Sequence, residues 1–173
     1  MNHDTYPDAY IRDILLKHAV FAVVGASAKT TRPSYYVMKY LAAKGYDVIP
    51  VSPGLGGRTV ADRVVVPSLA EIGRPVDVVD IFRNSDAAFA VTEEAIRIGA
   101  KVIWMQIGVR NDAAARLAEE AGLKVVMNRC PKIEYGRLSG EIGWTGVNSR
   151  TLSSRRPLLG PKGGQQRTLR DET

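Results

Sequence analysis

The stretch Val20-Phe21-Ala22-Val23-Val24-Gly25-Ala26-Ser27-Ala28-Lys29-Thr30-Thr31-Arg32-Pro33-Ser34 limits the possible folds more than any other part of the chain. Five apolar residues without a polar break suit a strand covered on both faces, as in a parallel sheet. Gly25 halts the run, and small or hydroxylated residues follow. Pro33 is placed to open a helix, where its missing N–H would have had no partner. A buried strand, a tight loop and a helix N-terminus in succession make an anion site, because loop amides and the positive end of the helix dipole converge there. Lys29 and Arg32 add side-chain charge, so the loop points to a phosphorylated ligand.

The remainder of the chain repeats this alternation. Residues 8–18 read as an amphipathic helix with Ile11, Ile14 and Leu15 on one face. A helix from Pro33 to Lys44 ends at Gly45, and Asp47–Val51 forms the next strand. Val64-Val65-Val66 has the composition of a short extra strand and Ser68–Ile72 that of a single helical turn; Val76–Phe82 is read as a third strand. Ser85 is placed to cap a helix through Ile98, Gly99 ends it, and Lys101–Gln106 follows as a fourth strand. Asn111 caps another helix, Gly122 ends it, and Leu123–Asn128 is the fifth strand.

Helix, glycine and apolar strand thus recur three times, which means βαβ units. The expectation is a single doubly wound, Rossmann-like α/β domain over residues 8–147 with a five-stranded, mostly parallel sheet. In that order Phe21–Gly25 is central, flanked by Val48–Val51 and by Val102–Gln106, and ligands bind at the carboxyl ends of the strands.

The chain has 173 residues, 45% of them hydrophobic, which suits one globular domain. No apolar run approaches the ~20 residues that span a bilayer, and no signal-peptide pattern opens the chain, so the expectation is a cytoplasmic protein without a membrane role. A lone cysteine, Cys130, excludes an internal disulfide framework. The formal charge of +6 is concentrated beyond Asn148, where six basic residues face two acidic ones in a tail without periodicity. That tail has no aromatic residue after Trp144 to stack on bases, which argues against single-stranded nucleic acid as a partner. A protein partner or a homo-oligomer stays open as a role for it.

Five segments meet at the carboxyl edge: 25–32, 52–58, 82–85, 106–108 and 129–134. The dinucleotide fingerprint G-x-G-x-x-G is broken, with Ser27 and Thr30 at its second and third glycines. The second strand ends in Ser52-Pro53 where an NAD site places a carboxylate for the ribose 2′-hydroxyl. With Arg58 nearby, the edge favours a ribose carrying an extra phosphate, as in NADP and coenzyme A. Groups for acid–base work are scarce. His18 lies at the amino end of the first strand and His3 in the terminal extension. Cys130 and Glu134 are the reactive-looking side chains, and a buried inert thiol is the plainer reading of Cys130.

The segments Val-Val-Gly-Ala-Ser with Arg32-Pro33, Tyr40-Leu41 through Gly45-Tyr46 to Pro50-Val51-x-Pro53, Val76–Arg83, Trp104-Met105-Gln106-x-Gly108-Val109 and Arg129-Cys130-x-Lys132-Ile133-Glu134 form an ordered set. Over roughly Ala9 to Arg137 that set resembles the small CoA-binding proteins, which look like the N-terminal domain of the succinyl-CoA synthetase α subunit standing alone. The resemblance implies a CoA-binding Rossmann fold and places the CoA phosphates over Ser27, Ala28, Lys29 and Thr30. The synthetase carries Pro-Gly-Lys-Gly-Gly after its second strand. Here the sequence is Pro53-Gly54-Leu55-Gly56-Gly57, so Arg58 would replace the missing lysine. Contacts from the synthetase's fourth strand fall near Met105, Gln106 and Ile107. The phosphorylated histidine belongs to a second domain and has no counterpart in the matched region, so the resemblance carries binding and not ligase activity.

The expected ligand is coenzyme A or an acyl-CoA, in a regulatory or carrier role without catalysis of its own. The expected binding residues are Gly25, Ser27, Ala28, Lys29, Thr30, Arg32, Ser52, Pro53, Arg58, Arg83 and Gln106, with no metal. The alternative is an NADP-dependent oxidoreductase, against which stand the broken fingerprint and the missing acid–base residue. A further expectation concerns Cys130. If Arg129 and Lys132 lower its pKa, it could form a mixed disulfide with CoA under oxidation.

Overall fold

The structure, a computed structural model, describes residues 2–141; the basic tail and the last residues of the expected domain lie outside the described residues. Helix α1 (Asp8–Lys17) buries Ile11, Ile14 and Leu15, the face expected from their spacing. Strand β1 (Val20–Val24) leads through the 25–32 loop into α2 (Pro33–Ala43), with Pro33 in its first turn, and β2 (Asp47–Val51) follows. A small antiparallel hairpin of β3 (Thr59–Val60) and β4 (Arg63–Val64) comes next, then a 3-10 turn at Leu69–Ile72. The remaining units are β5 (Val78–Ile81), α3 (Ala87–Arg97), β6 (Val102–Met105), α4 (Asp112–Glu120), β7 (Lys124–Val126) and α5 (Pro131–Leu138).

Five strands form one sheet in the order β2-β1-β5-β6-β7, and every pair in it is parallel. One expectation is overturned: β1 is flanked by β2 and β5, while the Val102–Gln106 segment lies one place further out as β6. The reason lies at the other edge. Val66 makes a single parallel bridge to Val51, its amide donating to Pro50 O at 2.9 Å. Val66 is therefore the remnant of a third strand outside β2, and it moves β5 into the fourth place of a Rossmann order. The strand order reverses between β1 and β5, which makes the gap between their following loops the switch-point crevice.

Alternation along the strands divides the core in two. Phe21, Val23, Val78 and Trp104 face α1, α2 and α5, where Tyr46 and Tyr135 fill space between helices. Ala22, Val24, Val79 and Ile81 face α3 and α4, whose alanines at 88, 95, 114, 115 and 118 let the helices approach closely. Each fully buried Val, Ile or Phe side chain stabilises the fold by about 1.5–3 kcal/mol.

Polar side chains fix the ends. Asp77 Oδ2 accepts from the amides of Ala19 and Val20 at 2.9 and 3.0 Å, locking the start of β1 beside β5. Asn111 caps α4 as expected, accepting from Ala114 N at 2.9 Å. The α3 cap differs from expectation: Asn84 Oδ1 accepts from Ala87 N, while Ser85 Oγ accepts from Arg110 N. Along the outer side of β7, Tyr10 Oη accepts from Val125 N and donates to Val125 O, and Tyr6 Oη accepts from Met127 N. Residues 124 and 126 turn their amides toward β6, so 125 and 127 present theirs outward. Two tyrosines occupy the places that another strand would take.

Candidate functional site

The crevice begins at Gly25. Its φ of +91° suits glycine, and a Cβ there would lie 3.0 Å from Phe82 O and 3.2 Å from Arg83 Cδ. Only a residue without a side chain lets the β1 and β5 loops come this close. Gly25 N and Ala26 N both donate to Val51 O, which ties the same loop to the end of β2. Within the loop, Ser27 Oγ accepts from Lys29 N at 3.2 Å and Arg32 N donates to Lys29 O at 3.0 Å. The amides of Ser27, Ala28, Thr30 and Thr31 make no hydrogen bond among the described residues. They stand exposed or half-exposed ahead of the α2 N-terminus, where helix polarity adds to them. A chain of free amides over a helix start is an anion cradle.

Four cations stand on the loops of this edge. Lys29 and Arg32 belong to the loop, Arg83 crosses beside Gly25, and Arg58 follows β2 at the foot of the hairpin. None of the four holds a carboxylate among the described residues, and all are exposed. Ser52 and Pro53 stand at the end of β2, where Ser52 N donates to Val66 O at 3.0 Å and Pro53 opens a 3-10 turn. The second loop folds tightly: a Cβ on Gly56 would fall 2.7 Å from Pro67 Cγ.

Gln106 is the expected site residue that the structure turns away. It is 6% exposed, and its Nε2 donates to both oxygens of Asp80, at 2.9 and 3.1 Å. Asp80 is wholly buried in mid-strand on the α2–α5 side of the sheet, and burial pushes its carboxyl up to about 8 against the opposing Gln106 hydrogen bond. Burial thus favours its protonated form. Its signal in the sequence was a lone acid inside Val-Val-Asp-Ile-Phe, in the segment read as the third strand.

The β7–α5 loop forms the far wall. Trp104 Nε1 donates to Arg129 O, and Asn128 Oδ1 accepts from Gly108 N, so this loop is held to the end of β6. Cys130 sits at the α5 N-cap, 7% exposed. Burial pushes its thiol up to about 11, overriding the helix amides and Lys132. The thiolate-favouring environment expected from its basic neighbours is absent. Arg129 is engaged with Asp4 O at 3.0 Å and with Glu134 at 4.0 Å. Glu134 is taken up by Arg137 at 2.7 Å.

Two surface clefts lie apart from this crevice. One, about 290 Å³, is lined by Arg129 and Arg137 together with Asp8 and Glu134, which pair with them. The other, about 500 Å³, lies at the amino edge beside Arg74 and Asp77. Neither touches the free amides, so the open crevice is the stronger candidate. No helix among the described residues is long and apolar enough to cross a membrane, and no cluster of metal-ligating side chains occurs among them.

The chain is 37% identical over 131 residues to the uncharacterized protein YneT of Bacillus subtilis (strain 168), covering 73% of this chain and 93% of that protein. A hypothetical protein from Pyrococcus horikoshii OT3 matches its structure with a TM-score of 0.75 and 41% identity, covering 80% of this chain and 96% of the other. The dinucleotide-forming acetyl-coenzyme A synthetase 1 of Ca. Korarchaeum cryptofilum shares the fold at 22% identity and a TM-score of 0.55, over 64% of this chain and 26% of that one. The model of the CoA binding domain matches residues 19–136, from the start of β1 through most of α5. The chain belongs to the CoA-binding domain family.

Proposed function

We propose that the chain binds coenzyme A or an acyl-CoA in the crevice, with the pyrophosphate over the amides of Ser27–Thr31. The observation that carries this is the conjunction, among the described residues, of free loop amides at the switch point with four cations on the edge loops that hold no carboxylate. Membership of the CoA-binding domain family supports the ligand class. The NADP reading gains nothing from that membership. The 3′-phosphate of CoA then falls to Arg32 or Arg58. Among the described residues Glu134 is paired with Arg137 and Cys130 is buried, which favours a regulatory or carrier role.

Replacing Ser27 with leucine tests the site. The half-exposed Ser27 lies within the cradle, so the bulkier side chain should block the pyrophosphate without unfolding the domain. Calorimetry should then show CoA binding abolished at an unchanged unfolding temperature; retained affinity removes the site. Dephospho-CoA should bind about ten- to a hundredfold more weakly than CoA, since a charge-assisted hydrogen bond contributes ~1.5–3 kcal/mol. Equal affinities would leave the 3′-phosphate in solvent.

A further inference from the structure

Two nucleophilic groups lie side by side on the far wall, and burial acts on them in opposite senses. A low-dielectric environment disfavours the charged form of any group. For a thiol the charged form is the nucleophile, and Cys130 is suppressed accordingly. For an amine the neutral form is the nucleophile, and the same burial lowers Lys132 from the usual lysine range. The surroundings that quiet the thiol prepare the amine.

Lys132 is only 9% exposed, and among the described residues its ammonium makes no ion pair and no hydrogen bond. Its ammonium lies 5.6 Å from the centroid of the Tyr40 ring. Lys44 approaches that ring at 5.3 Å and is as deeply buried, yet it is held by Glu141. The two lysines therefore differ in having a counter-ion, and Lys132 is the one at the ligand-binding edge. Tyr40, eighth in α2, packs on Tyr135, fifth in α5, with ring centroids 6.0 Å apart. Both helices start at the carboxyl edge, so α2 begins about one turn above α5. That step places Lys132 below the α2 start, down the helix from the anion cradle.

We propose that Lys132 is an acyl acceptor: its amine takes the acyl group from a CoA thioester bound in the crevice. This rests on the CoA reading. The amine lone pair attacks the thioester carbonyl carbon, and a C–N bond forms as the C–S bond breaks. The amine proton passes to the departing thiolate, leaving an amide on Lys132 and free CoA. No oxidant or further reactant is needed.

The test incubates the full chain with acetyl-CoA and, separately, with the N-acetylcysteamine thioester, which carries the same acyl group without a nucleotide. Peptide mass spectrometry then maps the adducts. Acetylation is expected at Lys132 ahead of the exposed Lys17 and Lys29, saturating with acetyl-CoA and slowed by free CoA. The small thioester should give about tenfold less adduct at equal concentration, because it lacks the bound, oriented encounter. Lys132→Arg should lose the adduct and keep both CoA affinity and unfolding temperature. Acetyl groups spread over exposed lysines with Lys132 bare, or confined to Cys130, overturn the inference. Calorimetry with free CoA separates the two levels: CoA binding without Lys132 acetylation refutes the acceptor alone, and no CoA binding refutes both.

Discussion

The carboxyl edge of the sheet has two halves that handle charge differently. Over β1, β2 and β5, Lys29, Arg32, Arg58 and Arg83 stand exposed with no carboxylate among the described residues. Over β6 and β7, three arginines are engaged. Arg110 holds Asp4 at 2.5 Å and Asp112 at 3.1 Å, Arg137 holds Glu134 and Asp8, and Arg129 lies 5.6 Å from the Tyr6 ring centroid. The N-terminal segment supplies Asp4, Tyr6 and Asp8, so it closes one half while the other stays open. Counting charges cannot distinguish the halves. Pairing does, because a cation already neutralised has little left to offer a phosphate.

The sharpest way to break the contrast is at Gly25, where the open half owes its shape to one missing side chain. Gly25→Val places a β-branched residue at φ +91° with its Cβ against Phe82 O. A loss of about 3 kcal/mol in chemical denaturation is expected, together with loss of CoA binding as the two loops part. Wild-type affinity in this variant would mean that the lips need not touch.

Asp80 comes next in size. Its pKa rises on folding from 3.8 to about 8, so the folded state binds the proton more tightly. Stability from this group is complete below pH 4 and declines as pH rises through 8. Asp80→Asn, close in shape and never charged, should flatten that decline and be more stable than wild type by about 2 kcal/mol at pH 9. Parallel pH–stability curves for the two proteins would refute the buried, protonated carboxyl.

Single arginines show the contrast at smaller amplitude. Arg83→Ala should weaken CoA about tenfold, equal to ~1.4 kcal/mol, with unfolding unchanged. Arg137→Ala should do the reverse, costing at most about 1 kcal/mol of stability, as expected of an exposed ion pair, with CoA affinity intact. If both variants lose ligand equally, the division into halves fails.

How far these features could be read from the sequence follows from their physics. Local grammar was legible: Pro33 in the first turn of α2, Asn111 at the α4 cap and the Ile11, Ile14, Leu15 face all depend on neighbours within a few residues. The strand order was legible except for one place, because the third strand shrank to a single bridge at Val66 and left too little periodicity to count. Gly25 and the tight loop after it were visible in the sequence, while Gln106, expected at the crevice, is held inside the sheet. A glutamine at a strand end looks available until a buried acid 26 residues earlier proves to hold its amide. Lys132 was passed over for a similar reason. Whether a lysine has a counter-ion is a property of packing between helices, and no spacing in the chain records it.

The tyrosines along β7 bear on how copies of this chain can meet. A bare outer strand invites another strand to extend the sheet, and many folds guard against it. Here Tyr6 and Tyr10 take up the outward amides of Val125 and Met127 with hydroxyl groups, which cannot propagate a ladder. The guard is supplied by the first ten residues, so it is only as secure as their attachment. A fusion or truncation that lifts this segment away would uncover the strand and create a sticky edge, and the resulting self-association would be a product of handling, not a natural oligomer.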